Sequence, residues 1–209
     1  MRPALAAPAR PTPRATVLAG LAVAALLPST AGASDFGLSL GAGWRGGGAF
    51  VETASGASRQ VEPSAVVSAS LERAIDASRQ VQLHLSVQDT AVTAGSTRLP
   101  LRITTLHLGG TNFFQGPIGR GPYVSGGLGA TLIDPGLAGT SSETFFSLAV
   151  GIGWLWPLTP SVALRAEARG TLVAVNAEGA LFCSGGCVVS LRGDAFLQGD
   201  VQLGLAIRF

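Results

Sequence analysis

The chain has 209 residues, a length that suits one domain or two small ones. Only 12% of the residues are charged and 47% are apolar, and the formal net charge is +2. Low charge with many apolar residues excludes a disordered chain, which needs the opposite balance. The small positive charge is not concentrated in any stretch, so we expect no nucleic-acid partner.

The first 33 residues have the composition of a signal peptide. Three arginines precede an apolar run at 15–27, which is too short to span a bilayer as a helix. Small residues follow at 31–33, a pattern typical of a signal peptidase site. We therefore expect residues 1–33 to be removed on export and residues 34–209 to form one domain. A helical anchor that stays in place is the alternative interpretation.

The rest of the chain contains no apolar run of about 18 residues or more, so no segment is typical of a transmembrane helix. Instead, apolar residues alternate with polar or small ones, which is the period of a β-strand. Eight segments show this pattern: 35–45, 61–73, 80–88, 98–108, 122–133, 146–156, 162–169 and 201–209. Residues 68–77 could also form a short helix, but the alternation on both sides favours a strand.

The connectors alternate in length along the chain. The longer polar or glycine-rich ones lie at 46–60, 89–97, 134–142 and 176–194. Between them come two tight turns, at 76–78 and 157–160, and one longer link at 109–121. Barrels of the bacterial outer membrane have an even number of strands, short periplasmic turns and longer outside loops. The sequence therefore predicts an all-β fold, an eight-stranded antiparallel up-and-down transmembrane β-barrel, from which only the 109–121 link departs.

A secreted β-sandwich or a cup-shaped soluble barrel is the alternative all-β fold. Such folds expose one face of each strand to water. In this chain the face opposite the apolar one consists mainly of Gly, Ala and Ser with scattered Arg and Glu. These residues suit the crowded interior of a narrow barrel whose apolar face meets lipid. Trp44, Trp154, Trp156 and Phe209 fall near strand ends, where aromatic residues collect at membrane interfaces.

The last predicted strand resembles an assembly signal. Gln202, Gly204, Ile207 and Phe209 fill every position of the β-signal of outer-membrane proteins, which the barrel-assembly machinery reads. An unpaired edge strand with alternating side chains is a ready template for strand addition, which gives the resemblance a physical basis. An ordinary edge strand that ends in Phe is the alternative.

Residues 34–209 as a whole look like the outer-membrane β-barrel domain family of small porin-like surface proteins, and residues 122–130 are similar to a PYxxxGxG strand common there. This resemblance implies a location in the bacterial outer membrane, among its lipids and lipopolysaccharide. It also implies the barrel-assembly machinery and periplasmic chaperones as partners during insertion. We expect a monomer.

Both cysteines, Cys183 and Cys187, lie in the last predicted outside loop. An exported protein meets an oxidising compartment, and the Ser-Gly-Gly spacer lets the two sulfur atoms meet, so we expect a small disulfide ring. Metal binding would need two more ligands, and neither histidine is near in sequence. We expect no metal, cofactor or catalytic site.

Charged residues on the small-residue face predict a network inside the barrel. The candidates are Glu62, Glu72, Arg102, Arg165, Glu167, Arg169 and Arg208. Charges inside a narrow barrel must pair, because desolvating a lone charge costs several kcal/mol. We expect salt bridges that plug the lumen. A gated pore, in which these charges form the gate, is the alternative.

The sequence defines the function less sharply than the fold. We expect a structural or surface-interaction role through the outside loops, which a rigid scaffold presents to partners. The alternatives are a narrow channel for small or apolar solutes and a lipid-modifying enzyme. An enzyme would have to use His84 or His107, and no serine elbow or two-His metal pair accompanies them. We therefore do not expect an enzyme.

Overall fold

The computed structural model describes residues 35–52, 58–94, 97–136, 140–175, 191–192 and 195–209. Within these residues the chain forms eleven strands: β1 Phe36–Gly47, β2 Ala49–Glu52, β3 Ser58–Gln60, β4 Ser64–Ala74, β5 Arg79–Ala94, β6 Thr97–Phe113, β7 Gly121–Asp134, β8 Glu143–Pro157, β9 Val162–Ala174, β10 Leu191–Arg192 and β11 Phe196–Arg208. The described part of the chain contains no helix that is long and apolar enough to cross a membrane. Residues 1–33 lie outside it, so the signal peptide and the domain boundary after it stay predictions.

Eight of the described strands close a barrel in the order β1-β11-β9-β8-β7-β6-β5-β4, and each strand is antiparallel to both neighbours. Strands that are adjacent in the wall follow one another along the chain, apart from short strands inserted in the loops. β1 closes the ring against β11, with Gly37 opposite Arg208 and Gly47 opposite Gln198. The predicted all-β, eight-stranded, antiparallel up-and-down barrel is confirmed.

Alternation along each strand separates the two faces of the wall. On β5, His84 and Ser86 point inward and are buried, whereas Leu83 and Leu85 point outward and are exposed. Successive side chains of a strand point to opposite faces of the sheet. The interior of an eight-stranded barrel is narrow enough for side chains from opposite walls to meet, so the inward set packs across it.

The two ends of the barrel differ. At one end, which we call the turn end, turns at 75–78, 114–120 and 158–161 join the strands. At the other, the loop end, β2, β3 and β10 form a small sheet in the order β10-β2-β3. Residues 68–77 form the end of β4 and the following turn, as the strand interpretation expected.

Two predicted connectors are shorter than expected. Most of the 89–97 connector belongs to β5 and β6, which pair as far as Ala94 opposite Thr97. The 109–121 link shrinks to a turn at 114–120 because β6 and β7 extend into it. Ile118 at this turn is buried, and its backbone N–H donates to Ala77 O at 2.9 Å. The extra length of the link therefore folds back into the mouth of the barrel.

Candidate functional site

The described side chains that face the lumen form three layers. The central charge layer consists of six side chains that are at most 8% exposed: Arg45, Glu72, Arg165, Glu167, Arg169 and Asp200. Toward the loop end lies an apolar cluster, the loop-end cluster: Val61, Val92, Leu99, Leu101, Ile103, Ile133, Phe145, Val173, Val175 and Phe196. Toward the turn end lies a second one, the turn-end cluster: Phe113, Ile118, Tyr123, Leu155, Ala163 and Ala206. The charges are therefore enclosed between two apolar layers.

β9 carries three of the six charges at alternate positions, so all three face the lumen. Arg165 Nη2 lies 2.6 Å from Glu167 Oε2, and Arg169 Nη2 lies 2.7 Å from Glu167 Oε1. The Tyr123 hydroxyl donates to Oε2 at 2.7 Å, and the Ser125 hydroxyl donates to Oε1 at 3.2 Å. The Glu167 carboxylate thus accepts from two guanidinium groups and two hydroxyls, which compensates for the water it has lost.

A cross-lumen pair links this strand to β4. Arg165 Nη1 lies 2.5 Å from Glu72 Oε1, and the Gln82 amide donates to the same oxygen at 2.9 Å. β11 and β1 separate β9 from β4 along the wall, so the pair spans the interior. The structure thus brings together four members of the predicted network: Glu72, Arg165, Glu167 and Arg169.

A second ion pair joins Arg45 of β1 to Asp200 of β11. Arg45 Nε lies 3.0 Å from Asp200 Oδ2, and the two side chains are 0% and 1% exposed. Arg45 Nη2 also donates to Ser86 Oγ at 2.8 Å, and the Gln202 amide donates to Asp200 Oδ1 at 2.6 Å. The pair therefore links the first and last strands of the barrel inside the lumen.

Sequence reasoning missed this second pair. Arg45 is the last residue of the first predicted strand. Asp200 lies one residue before the start of the last predicted strand. The signal was the strand phase, because Asp200 continues the inward series of Gln202 and Gly204 toward the N-terminus. Extending that strand by one residue would have placed a carboxylate in the lumen.

The central charge layer is neutral as a whole, since it contains three arginines and three carboxylates. Buried ions are tolerated when they are paired and hydrogen-bonded, and are costly when one partner is missing. Beside the layer lies a cavity of about 20 Å³ whose polar lining includes Ser70 and His84. A space of this size holds about one water molecule. The layer thus places paired charges across the middle of the lumen, with space for about one water molecule beside His84.

His84 and His107 lie opposite each other on β5 and β6 and face the lumen. His84 Nδ1 lies 2.8 Å from Ser70 Oγ, and His107 Nε2 lies 2.8 Å from Ser147 Oγ. The second nitrogen of each ring has no hydrogen-bond partner among the described residues. In a catalytic serine–histidine pair, an acid orients the ring through that nitrogen, and this contact is missing in both pairs as described.

Glu62 and Arg102 do not face the lumen, so these two members of the predicted network are wrong. Glu62 precedes β4 and pairs with Arg98, with Arg98 Nη2 2.7 Å from Glu62 Oε2. Hydrogen bonds from Arg98 and Thr93 hold the pKa of Glu62 below its ordinary value.

Arg102 pairs with Asp89 on the outward face, with Arg102 Nε 2.6 Å from Asp89 Oδ1. The physical reason is strand phase, because Arg102 follows the outward series of Leu106 and Leu108. A charged side chain is tolerated at Arg102 because this position lies beyond the apolar part of the outer surface.

Arg208, the last member of the predicted network, lies at the turn end. Its Nη1 donates to Ile118 O at 2.7 Å, which fixes the 114–120 turn in the barrel mouth. No carboxylate of the described residues pairs with it.

The outer surface is apolar over a band of membrane thickness. On β6 this band runs between Arg102 and Asn112, and ten residues rising by about 3.3 Å each at a tilt of about 40° span about 25 Å. Aromatic residues stand near its edges: Trp44 near the loop end, and Trp154 and Trp156 near the turn end, the latter two stacked with ring centroids 6.1 Å apart. This distribution is typical of a barrel in a bilayer.

The residues of the predicted β-signal divide between the two faces of β11. Gln202 and Gly204 face the lumen, whereas Ile207 and Phe209 point outward. Gly204 packs so tightly against β1 that a Cβ there would lie 2.1 Å from Leu40 O. Reading of this strand by the assembly machinery stays a prediction. Cys183 and Cys187 lie outside the described residues, so the disulfide also stays a prediction.

No family model matches the sequence, and no curated protein matches it. Among solved structures, the chain is similar to Neisserial surface protein A, with a TM-score of 0.61 and 17% identity over 85% of this chain and 99% of that one. It is also similar to outer membrane protein AlkL, with a TM-score of 0.54 and 14% identity over 88% of this chain and 95% of that one. Both neighbours are eight-stranded barrels of the bacterial outer membrane. The chain therefore has the fold of an eight-stranded β-barrel with an apolar outer surface, and this fold is similar to that of these two bacterial outer-membrane barrels.

Proposed function

We propose that this barrel is closed to solutes and acts in the outer membrane through its loop end, in a structural or surface-interaction role. The central charge layer carries the proposal. Its six buried charges form two groups of ion pairs, of which the Arg165–Glu72 contact crosses the lumen, and they lie between two apolar clusters. A permeating ion would have to displace these partners and leave buried charges unpaired, which costs several kcal/mol.

The loop end supports a role in presenting a surface. β5 and β6 pair without interruption from Arg79 opposite Asn112 to Ala94 opposite Thr97, so they project as one long hairpin. Val61 bridges Val92 of this hairpin, which ties the segment before β4 to it. Elements that are already ordered lose little conformational freedom when a partner binds.

Single-channel recording in planar bilayers tests the closure. We expect no conductance steps from the purified barrel. A matched variant, Glu72→Gly with Arg165→Gly, removes one charge of each sign and empties part of the central layer without changing its net charge. If the central charge layer closes the lumen, this variant should conduct, whereas a silent variant would assign the closure to the two apolar clusters. Discrete steps from the unchanged protein would contradict the proposal and favour the narrow channel instead.

The same proposal assigns the barrel no catalytic role. The two hydroxyl–imidazole contacts, at His84 and His107, are buried in the lumen, and no carboxylate orients either ring among the described residues. We expect His84→Ala and His107→Ala to leave the lipid A profile of cells unchanged. An altered profile in either variant would favour a lipid-modifying enzyme.

We further propose that the chain is a monomer surrounded by outer-membrane lipids and lipopolysaccharide, and that the assembly machinery and periplasmic chaperones deliver it. The apolar outer band supports the lipid environment. Outer-membrane fractionation, combined with electrophoresis of unheated and heated samples, tests it. A soluble, unshifted band would contradict the placement.

A further inference from the structure

A cavity of about 330 Å³ opens at the turn end, below the central charge layer. In outer-membrane barrels this end, with its short turns, faces the periplasm. We call this cavity the vestibule. Glu72 and Gln80 form part of its floor, Ile118 and Leu155 part of its apolar wall, and Arg120 and Arg208 part of its rim. Its volume falls at the lower end of the roughly 300–1,000 Å³ of small-molecule sites.

The floor offers an unused hydrogen-bonding group. Gln80 is 5% exposed, yet its side-chain amide makes no hydrogen bond to any other described residue, although it lines the vestibule. The amide atoms of Gln80 keep contact with the space of the vestibule, so a water molecule or a ligand there can take up their hydrogen bonds. The neighbouring Glu72 carboxylate is already paired with Arg165. The Gln80 amide is therefore the polar group of the floor that is free to bond to a ligand.

The rim carries positive charge without a counter-ion. Neither Arg120 nor Arg208 pairs with a carboxylate within the described part of the chain. Arg208 uses its Nη1 to hold Ile118 O at 2.7 Å, and this contact fixes the guanidinium at the vestibule. Arg120 follows two residues later in the same turn and is exposed. Guanidinium groups bind carboxylates through strong, charge-assisted hydrogen bonds.

We propose that the vestibule binds a small amphipathic carboxylate from the periplasmic side. Its carboxylate lies at Arg120 and Arg208, its apolar body packs on Ile118 and Leu155, and the Gln80 amide bonds to its polar atoms. The proposal does not depend on what the loop end does, because the central charge layer separates the two ends of the lumen.

A charge series of similar probes tests the site in the complete barrel in lipid nanodiscs: phenylacetate, phenylacetamide and phenethylammonium. Nuclear magnetic resonance follows the side-chain amide signals of Gln80. We expect saturable shifts with phenylacetate, binding at least about fivefold weaker with the neutral amide, and no saturation with the cation. Equal affinity for phenylacetate and phenylacetamide would overturn the proposal, as would inorganic phosphate that binds as tightly as phenylacetate.

Two variants and a matched control locate the bound probe. We expect Arg120→Gln to weaken phenylacetate at least about fivefold. Phenylacetate has no polar atom besides its carboxylate, so Gln80→Leu is tested with 4-hydroxyphenylacetate, whose hydroxyl can bond to the amide, and we expect this variant to weaken that probe. Because Gln80→Leu lacks the reporting amide, its affinity is read from the Arg208 Nε–H signal. Arg73→Gln is the control, since Arg73 also lies at the turn end but stacks on Phe36 outside the barrel, 5.6 Å from the ring centroid. Loss of affinity in this control equal to that in Arg120→Gln would show unspecific charge attraction and overturn the site.

Discussion

Arg45 and Asp200 face each other at the position where the barrel closes. They are partners in the ladder between β1 and β11, and Arg45 Nε lies 3.0 Å from Asp200 Oδ2 although 155 residues separate them. Both side chains are buried. The first and last strands are therefore joined by an ion pair within the lumen as well as by backbone hydrogen bonds.

Breaking this pair should destabilise the barrel strongly. We expect Arg45→Gln and Asp200→Asn each to lower the free energy of unfolding by about 3–5 kcal/mol, because each leaves the partner charge buried without a counter-ion. The double variant should lose less than the sum, with a coupling energy of about 0.5–3 kcal/mol. Urea unfolding in lipid vesicles gives the free energy of unfolding of the unchanged protein, the two single variants and the double variant. Strictly additive losses would show that the two charges do not interact.

Ile118 accounts for the extra length of the turn between β6 and β7. It is 5% exposed and packs in the turn-end cluster. We expect Ile118→Ala to lower the free energy of unfolding by about 2–4 kcal/mol, since it leaves a cavity in that cluster. Leu158→Ala is the control, because Leu158 is 60% exposed in the next turn and should have little effect. Similar losses in the two variants would argue against an inserted turn.

Gly204 should be required for packing where β11 meets β1. A Cβ there would lie 2.1 Å from Leu40 O, whereas a Cβ at Gly199 of the same strand would meet nothing within 4 Å. We expect Gly204→Ala to lower the free energy of unfolding by about 1–3 kcal/mol and Gly199→Ala to leave it nearly unchanged. The free energy is measured on variants that have folded into lipid vesicles without the assembly machinery. If Gly204→Ala loses nothing there and fails only in cells, the residue acts in recognition rather than packing.

Asp76 in the first turn should titrate at low pH. Its pKa is lowered from 3.8 to about 2, first by a hydrogen bond from Arg79 Nε, 2.6 Å from Oδ2, and then by the backbone N–H of Ser78. A depressed pKa means that the carboxylate stabilises this turn above about pH 4 and that the contribution is lost as the pH falls toward 2. We expect the carboxyl carbon signal to show a midpoint near 2, and Arg79→Gln to move it back toward 3.8. A midpoint near 3.8 in the unchanged protein would contradict the turn geometry.

The barrel could be predicted because alternation records both faces of each strand. In β11 the outward Leu203 and Leu205 flank the inward Gly204 over a whole segment, and no helix keeps that period. Strand ends were harder to predict. Asp89 falls in the predicted 89–97 connector, yet it is the partner of Arg102 in the ladder between β5 and β6. Beyond the lipid, an outward position can carry charge, so polarity no longer marks the end of a strand.

The central charge layer could be predicted only in part, for the same reason. Arg165, Glu167 and Arg169 lie inside a clear alternation, so their common face follows from their spacing. The assignment of Arg102 to the lumen required a phase one residue away from the real one, and such a shift moves a side chain to the opposite face. Cross-lumen partners such as Arg165 and Glu72 depend on the stagger of the whole ring, which no single strand encodes.

Contacts between isoleucine methyl groups and lipid test the account most directly. In nanodiscs with methyl-labelled isoleucine, nuclear Overhauser effects from acyl-chain protons should appear at Ile152, which is 65% exposed on the outer surface. They should be absent at Ile103 and Ile133, which are 0% exposed and belong to the loop-end cluster. Acyl contacts at Ile103 or Ile133 with none at Ile152 would show that the inward and outward faces have been assigned the wrong way round.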